Sequence, residues 1–189
     1  MKRLLCTLLL AGLCAVYAQA DPTLQLIPAG GVVAGAPGST VGWGFMLTNT
    51  SDYLVVTGSS FTYNGPQYGT YQDIIGTDNF IVVGPAPEST TVTQDFNPVA
   101  LTGVGEFTID STAPFGAIKG TLAIDYSLFS VDPNDPSFNP DTDTVVADAS
   151  LSQAAAVDAT PEPASIVLMA TGLILFEIFR RRARLTRLS

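Results

Sequence analysis

The sequence has 189 residues, enough for one domain with targeting segments, and it is acidic, with 17 Asp and Glu against 8 Lys and Arg. Seven of the eight basic residues lie near the two ends, so Lys119 is the only one among the 16 acidic residues between Asp21 and Pro163. This distribution argues against nucleic-acid binding, because phosphate contacts need clustered Lys and Arg side chains.

The first 20 residues have the three parts of a secretory signal peptide. Lys2 and Arg3 form the positive start, and an apolar stretch follows from Leu4 to Val16. Ala18 and Ala20 then stand at the small-residue positions of an A-x-A cleavage site. We therefore expect signal peptidase to cut after Ala20 and release a mature chain that begins at residue 21.

Cleavage would leave a mature chain with neither cysteine nor histidine. Both cysteines, Cys6 and Cys14, lie within the signal peptide, and the sequence has no histidine. The mature chain therefore has no disulfide, no thiol nucleophile, no Ser-His-Asp triad and no histidine-ligated zinc. A lipoprotein site at Cys14 is the alternative, but Leu13 before it is bulky where such sites take a small residue.

Residues 21–159 are predicted to form an all-β domain. They are rich in Thr, Ser, Gly, Val and Asp and poor in Lys, Glu and Leu, which favours strands and turns over helices. Two segments alternate apolar and other residues with the period of a strand, and the apolar sets are Val41, Trp43, Phe45 and Leu47, and Leu122, Ile124, Tyr126 and Leu128. Further strand candidates are DYLVV, NFIVVGP, TTVTQDF and GEFTID.

Six to nine short strands, separated by turns rich in Gly, Pro and Asn, predict an antiparallel β-sandwich. The stretch APGSTVGWGFMLTNTSDYLVV, residues 36–56, resembles the opening strands of immunoglobulin-like bacterial surface modules. That resemblance implies an immunoglobulin-like sandwich and supports the fold more than any function. The same stretch contains Asn49-Thr50-Ser51, which fits an N-glycosylation sequon.

The stretch VDPNDPSFNPDTDT, residues 131–144, is dense in oxygen ligands of the kind that Ca²⁺ prefers. Its candidate ligands are Asp132, Asp135, Asn139, Asp141 and Asp143. Asn139, Asp141 and Asp143 have the alternate spacing of the ligands in a calcium-binding loop. However, Thr144 stands where such a loop has glycine, and Ser150 stands where it has its final glutamate. The alternative is a solvated turn between two strands, and no other cofactor is expected.

An apolar run of 16 residues, 164–179, is predicted to be a membrane helix of about 24 Å. It is short for a bilayer core of about 30 Å, although flanking arginines can extend toward the headgroups. Arg180, Arg181 and Arg182 follow at once, and positive residues stay cytoplasmic, so the domain is expected outside. A buried core helix is the alternative, which the adjacent arginines disfavour.

The triplet Pro161-Glu162-Pro163 stands directly before the apolar run. Its two prolines favour an extended segment at the outer face of the membrane that the run would span. The whole tail, residues 160–189, resembles the PEP-CTERM sorting signal of Gram-negative exopolysaccharide-producing bacteria. The resemblance implies that an inner-membrane exosortase recognises these three residues and processes the protein for the cell surface. Glu177 departs from the purely apolar run of that family.

These observations predict a non-enzymatic surface or extracellular-matrix protein, sorted by its tail and associated with exopolysaccharide in a biofilm. The alternative is a glycan- or calcium-binding surface module held by a simple C-terminal membrane anchor. Trp43 and the six tyrosines are candidates for stacking on sugars, but the alternation places Trp43 among the core residues. The many carboxylates leave a glycosidase-type pair open.

Overall fold

The computed structural model describes residues 22–85, 90–161, 168–171 and 173. The predicted signal peptide with Ala18 and Ala20, the pair Glu162 and Pro163, and the arginines 180–182 lie outside these residues. So does most of the predicted membrane segment, of which 168–171 and 173 are helical and exposed. In the part of the chain that the structure describes, no helix has the length and apolar character needed to cross a membrane.

The described residues form ten strands and one short helix. In chain order they are β1 (Thr23–Ile27), β2 (Val32–Gly35), β3 (Thr40–Thr48), β4 (Tyr53–Tyr63), β5 (Gly69–Asp73), β6 (Val82–Val83), β7 (Thr91–Gln94), β8 (Gly105–Ile109), β9 (Gly116–Phe129), α1 (Pro140–Asp143) and β10 (Thr144–Ala159).

The strands form two five-stranded sheets that pack against each other as a β-sandwich. The first sheet has the order β1-β3-β8-β5, with β7 also paired to β3, and the second has the order β2-β10-β9-β4-β6. The predicted sandwich is therefore confirmed, with ten strands where six to nine were expected. The expectation of purely antiparallel pairing is wrong at one place, because β2 pairs parallel to β10.

Both predicted apolar faces point into the core between the sheets. On β3, Trp43, Phe45 and Leu47 are fully buried, and all four apolar residues predicted on β9 are buried as well. The Trp43 ring stacks on Phe61 of the second sheet, with centroids 5.6 Å apart, and Phe107 packs edge-on against both. The core is thus centred on aromatic contacts between the sheets, and Trp43 has no surface with which to stack on a sugar.

The connection from β1 to β2 carries the chain from the first sheet to the second, and one carbonyl group holds it in place. The Gly31 carbonyl oxygen accepts a hydrogen bond from Trp43 Nε1 (2.8 Å) and another from the Ala156 backbone N–H (2.9 Å). Trp43 lies on β3 of the first sheet and Ala156 on β10 of the second. A single acceptor therefore links both sheets to the crossing segment.

The two ends of the sandwich differ in the loops that they carry. The tail-proximal end, defined by the β2–β3, β4–β5 and β8–β9 loops, is where β10 finishes. Thr160 N–H donates to the Gly35 carbonyl (2.9 Å), which fixes the chain just before it leaves the domain. The opposite, distal end carries the β3–β4 turn and the acidic stretch between β9 and β10.

We predict that Gly31→Ala destabilises the domain far more than Gly30→Ala does. Both glycines have positive φ, +66° and +86°, so a side chain at either costs about 1–2 kcal/mol of backbone strain. A Cβ at Gly31 would also lie 2.5 Å from the Ala154 carbonyl oxygen, whereas one at Gly30 would meet nothing within 4 Å. This overlap adds about 1–3 kcal/mol at Gly31 alone.

Urea unfolding followed by the fluorescence of Trp43, the single tryptophan, measures the difference. Equal losses in the two variants would contradict the role assigned to the crossing segment.

Candidate functional site

The acidic stretch lies in the exposed connection between β9 and β10, and its polar side chains bond to neighbours close in sequence. Asp132 Oδ1 accepts the Asn134 backbone N–H (2.8 Å), and Asp135 Oδ1 accepts both the backbone N–H and the hydroxyl of Ser137 (2.8 and 2.7 Å). These bonds make local turns of the kind that Asp forms readily. The two hydrogen bonds from Ser137 also lower the pKa of the Asp135 carboxyl, because they favour its charged form.

The remaining predicted ligands build the short helix α1. Asn139 caps its start, with Oδ1 accepting the Asp141 backbone N–H (3.1 Å), and Asp143 Oδ2 accepts the Asn139 backbone N–H (2.8 Å). Within the described residues, no three His, Cys, Asp or Glu side chains gather closely enough to hold a metal ion. The predicted carboxylate ligands therefore do not form such a group, and the local bonds fit the alternative of a solvated turn.

Asn49 of the predicted sequon is a structural residue. Its side chain is 1% exposed, and its Nδ2 donates to the carbonyls of Asp52 and Val83. Its backbone N–H donates to the Thr90 carbonyl (2.9 Å). The side chain that a glycan would modify is thus buried and bonded at the distal end of the sandwich.

A polar cluster that the sequence did not reveal links the sheets on the side of β4 and β5. The Ser59 hydroxyl on β4 donates to Asp73 Oδ1 on β5 and lies 2.6 Å from the Tyr71 hydroxyl. Burial raises the pKa of Tyr71, and the nearby Asp73 carboxylate adds to this, so the phenol stays neutral. The Asp73 carboxylate also accepts the Gly76 backbone N–H (3.3 Å). Because these bonds are made within the domain, the cluster is best read as a brace between the sheets.

The opposite side of the sandwich carries the best candidate for a binding site, where two strand edges lie side by side. β1 lies at the edge of the first sheet. Among the described residues β10 has no strand partner on its outer edge from Thr144 to Ala155, since β2 pairs only with Ala156–Ala159. We call this region, residues 23–30 and 149–155, the seam. Its two halves approach each other at a cleft of about 230 Å³.

The cleft in the seam combines an apolar floor with amide groups. Its lining residues are Leu24, Gln25, Leu26, Ala29, Gly30 and Gln153. Leu24 and Leu26 are buried core residues, while Gln25 and Gln153 are exposed. Gln153 falls between Leu151 and Ala155, which pack toward the core, so it is a polar residue at a core-facing position of β10.

The two halves of the open β10 edge differ in regularity. Near its start, register shifts separate Thr144, Val146 and Ala149, and Asp148 has a positive φ of 54°. Such bulges make it harder for an edge strand to pair with another chain. From Ala149 onward the pairing with β9 is regular, and the seam has no charged residue and no proline on β10 between positions 149 and 155.

A regular, uncharged edge of this kind presents unpaired N–H and C=O groups to any extended chain. Seven residues span about 23 Å at ~3.3 Å per residue, the length of an ordinary strand. Recognition by strand addition takes its affinity from the main chain and its selectivity from side-chain pockets. The seam offers both elements, an edge and a cleft beside it.

No family model matches the sequence, and a search of curated proteins finds none that matches. Among solved structures the chain is similar to a C. elegans MSP family member (9% identity, TM-score 0.34, 72% of this chain and 97% of that one). It is also similar to the sixth cohesin of Acetivibrio cellulolyticus scaffoldin B (16% identity, TM-score 0.29, 75% of this chain and 100% of that one). A third similar structure is BcpA, the major pilin subunit of Bacillus cereus (16% identity, TM-score 0.30, 74% of this chain and 41% of that one). At these identities and scores the likenesses carry no argument about function.

We predict that Ser152→Lys weakens pairing at the seam, because it sets a charge on the open edge of β10. Ala123→Lys is the matched control, since Ala123 lies directly opposite Ser152 on the central strand β9. The domain, residues 21–160, should self-associate at high concentration, about tenfold more weakly in the Ser152 variant and unchanged in the control. Sedimentation equilibrium measures this, and equal association of both variants, or a strictly monomeric parent, would contradict it.

Proposed function

We propose that the protein is an exported, non-enzymatic surface or extracellular-matrix protein, sorted by exosortase and associated with exopolysaccharide. In this proposal the signal peptide directs export, and the C-terminal segment holds the precursor in the inner membrane. The β-sandwich then reaches the cell surface or the matrix. The observation that carries the proposal is the order of the tail: Pro161-Glu162-Pro163, an apolar run, and an arginine cluster.

The way the domain meets the tail supports this proposal. β10 ends at Ala159, and Thr160 is still bonded to Gly35, so a position held by the domain directly precedes the triplet. Pro161 is exposed. An enzyme that cuts near the triplet would therefore separate the tail and leave all ten described strands intact.

The seam supports a matrix role over that of an isolated monomer. A surface protein that joins a network needs places where other chains attach, and an uncharged strand edge is such a place. The alternative binding module finds less support in the described residues. Trp43 is buried, and the carboxylates of Asp132, Asp135 and Asp143 accept hydrogen bonds from residues close in sequence.

We predict that changing Pro161, Glu162 and Pro163 together to alanine blocks processing of the tail and leaves the domain folded. The triplet lies beyond the last strand, so its loss removes no core contact. Intact-mass spectrometry of the exported protein should show a chain that keeps the segment 164–189, whereas the parent loses it. Circular dichroism of the domain should not change.

The control is Thr160→Val, which keeps the backbone bond to Gly35 and alters the residue next to the triplet. This variant should be processed like the parent. Removal of the tail from the triple-alanine variant, with normal arrival at the cell surface, would overturn the sorting proposal.

A further inference from the structure

We infer that, while the tail is inserted, the tail-proximal end of the sandwich rests on the lipid headgroups at the outer face of the inner membrane. Phe115 and Tyr68 are the contact residues. This inference rests on the proposed function, because it requires the segment 164–179 to lie in the bilayer. It concerns the precursor, before the tail is removed. The partner is a phospholipid surface.

The distance between domain and membrane is set by a very short connection. Thr160 is held by its hydrogen bond to Gly35, and the apolar run begins at Ala164. Four residues of chain reach at most about 14 Å when fully extended. The polar layer of a bilayer takes up about 5–8 Å on each side. Little room for water is left between this end of the sandwich and the headgroups.

Two exposed aromatic side chains lie on this end. Phe115 is 64% exposed in the β8–β9 loop, and Tyr68 is 37% exposed in the β4–β5 loop. The Asp110 backbone N–H donates to the Tyr68 carbonyl (3.0 Å), so the two loops are bonded to each other. A single exposed aromatic side chain needs no explanation. Two on linked loops, beside the exit of the predicted membrane tail, fit the preference of Tyr for the membrane interface and the burial of Phe in interfacial contacts.

The placement of charge gives the same orientation. Lys119 is the only basic residue between Arg3 and Arg180, and it is exposed on β9 close to Gly116 at this end. Its partner on β10 is Ala156, two residues from Asp158, so it offsets part of the negative charge there. The distal end instead carries the acidic stretch with its four aspartates. Anionic lipid would repel that stretch, so the bilayer favours contact with the less acidic end.

The test uses the signal-processed chain with its tail, inserted in vesicles of phosphatidylethanolamine and phosphatidylglycerol. This chain has no cysteine of its own, so Thr112→Cys places a single fluorophore on the tail-proximal end and Pro136→Cys places one on the distal end. Quenching by lipids with a nitroxide in the headgroup region reports proximity to the surface. We expect several-fold stronger quenching of the label at position 112 than of the label at position 136.

The aromatic contact is tested by adding Phe115→Ser and Tyr68→Ser to the Thr112→Cys chain. Quenching should fall to a value between those of the two labels, because the short connection still keeps this end near the membrane. Phe80→Ser is the matched control, because Phe80 is 67% exposed on the β5–β6 connection, away from this end, and it should leave quenching unchanged.

Two results would overturn the inference, and they are distinguishable. If alkaline carbonate leaves the chain in the vesicles but both labels are quenched equally, or the aromatic variants make no difference, the end-face contact is wrong and the anchor stands. If carbonate extracts the chain, the tail does not insert, and the proposed function fails together with the inference.

Discussion

The Gly31 carbonyl is the point on which the sandwich depends. A chain that leaves one sheet after β1 and enters the other as β2 must cross the open side of the core. The crossing is held because one oxygen accepts the indole N–H of Trp43 and the backbone N–H of Ala156. Burying an indole N–H without an acceptor would carry a penalty of about 1–3 kcal/mol. The indole N–H of a fully buried residue of the first sheet is therefore satisfied by the segment that joins the second.

This crossing also creates the seam. Because β2 enters the second sheet beside Ala156–Ala159 only, it covers a quarter of the sixteen-residue strand β10, and no other described strand pairs with the rest of that edge. Register shifts and the positive φ of Asp148 disfavour pairing with another strand along the first part of the open edge. Between Ala149 and Ala155 the strand has neither feature. In a domain otherwise so rich in carboxylates, an uncharged strand edge beside a cleft is the feature most suited to contact with another chain.

The sequence predicts the central strands well, because alternation is a local signal. Trp43, Phe45 and Leu47 could be assigned to one buried face from their spacing alone, and so could the apolar residues of β9. β10 was not foreseen, because its run of Ala and Ser lacks the large alternating apolar residues that mark a strand, and its pairing with β9 is a long-range contact. The parallel pairing of β2 depends on the same kind of contact.

For the candidate sites too, the sequence does not reveal features that depend on three-dimensional contacts. The acidic stretch was visible as composition, but whether its oxygen atoms converge on an ion or turn back on their own backbone depends on local geometry, as Asp135 and Asn139 show. The brace of Ser59, Tyr71 and Asp73 joins strands from different sheets and gives no sequence signal. The seam exists only through the order of strands, whereas the pattern on which the tail prediction rests is contiguous in the sequence.

The proposed processing would separate the domain from its predicted anchor. All ten described strands end before the triplet, and the core residues of the described chain all precede Thr160. The most direct measurement is the intact mass of the protein recovered from the surface of its own cells. The account predicts one species that begins at Asp21 and ends near Thr160. A surface species that still carries Arg180–Arg182, or a protein found only inside the cell, would contradict it.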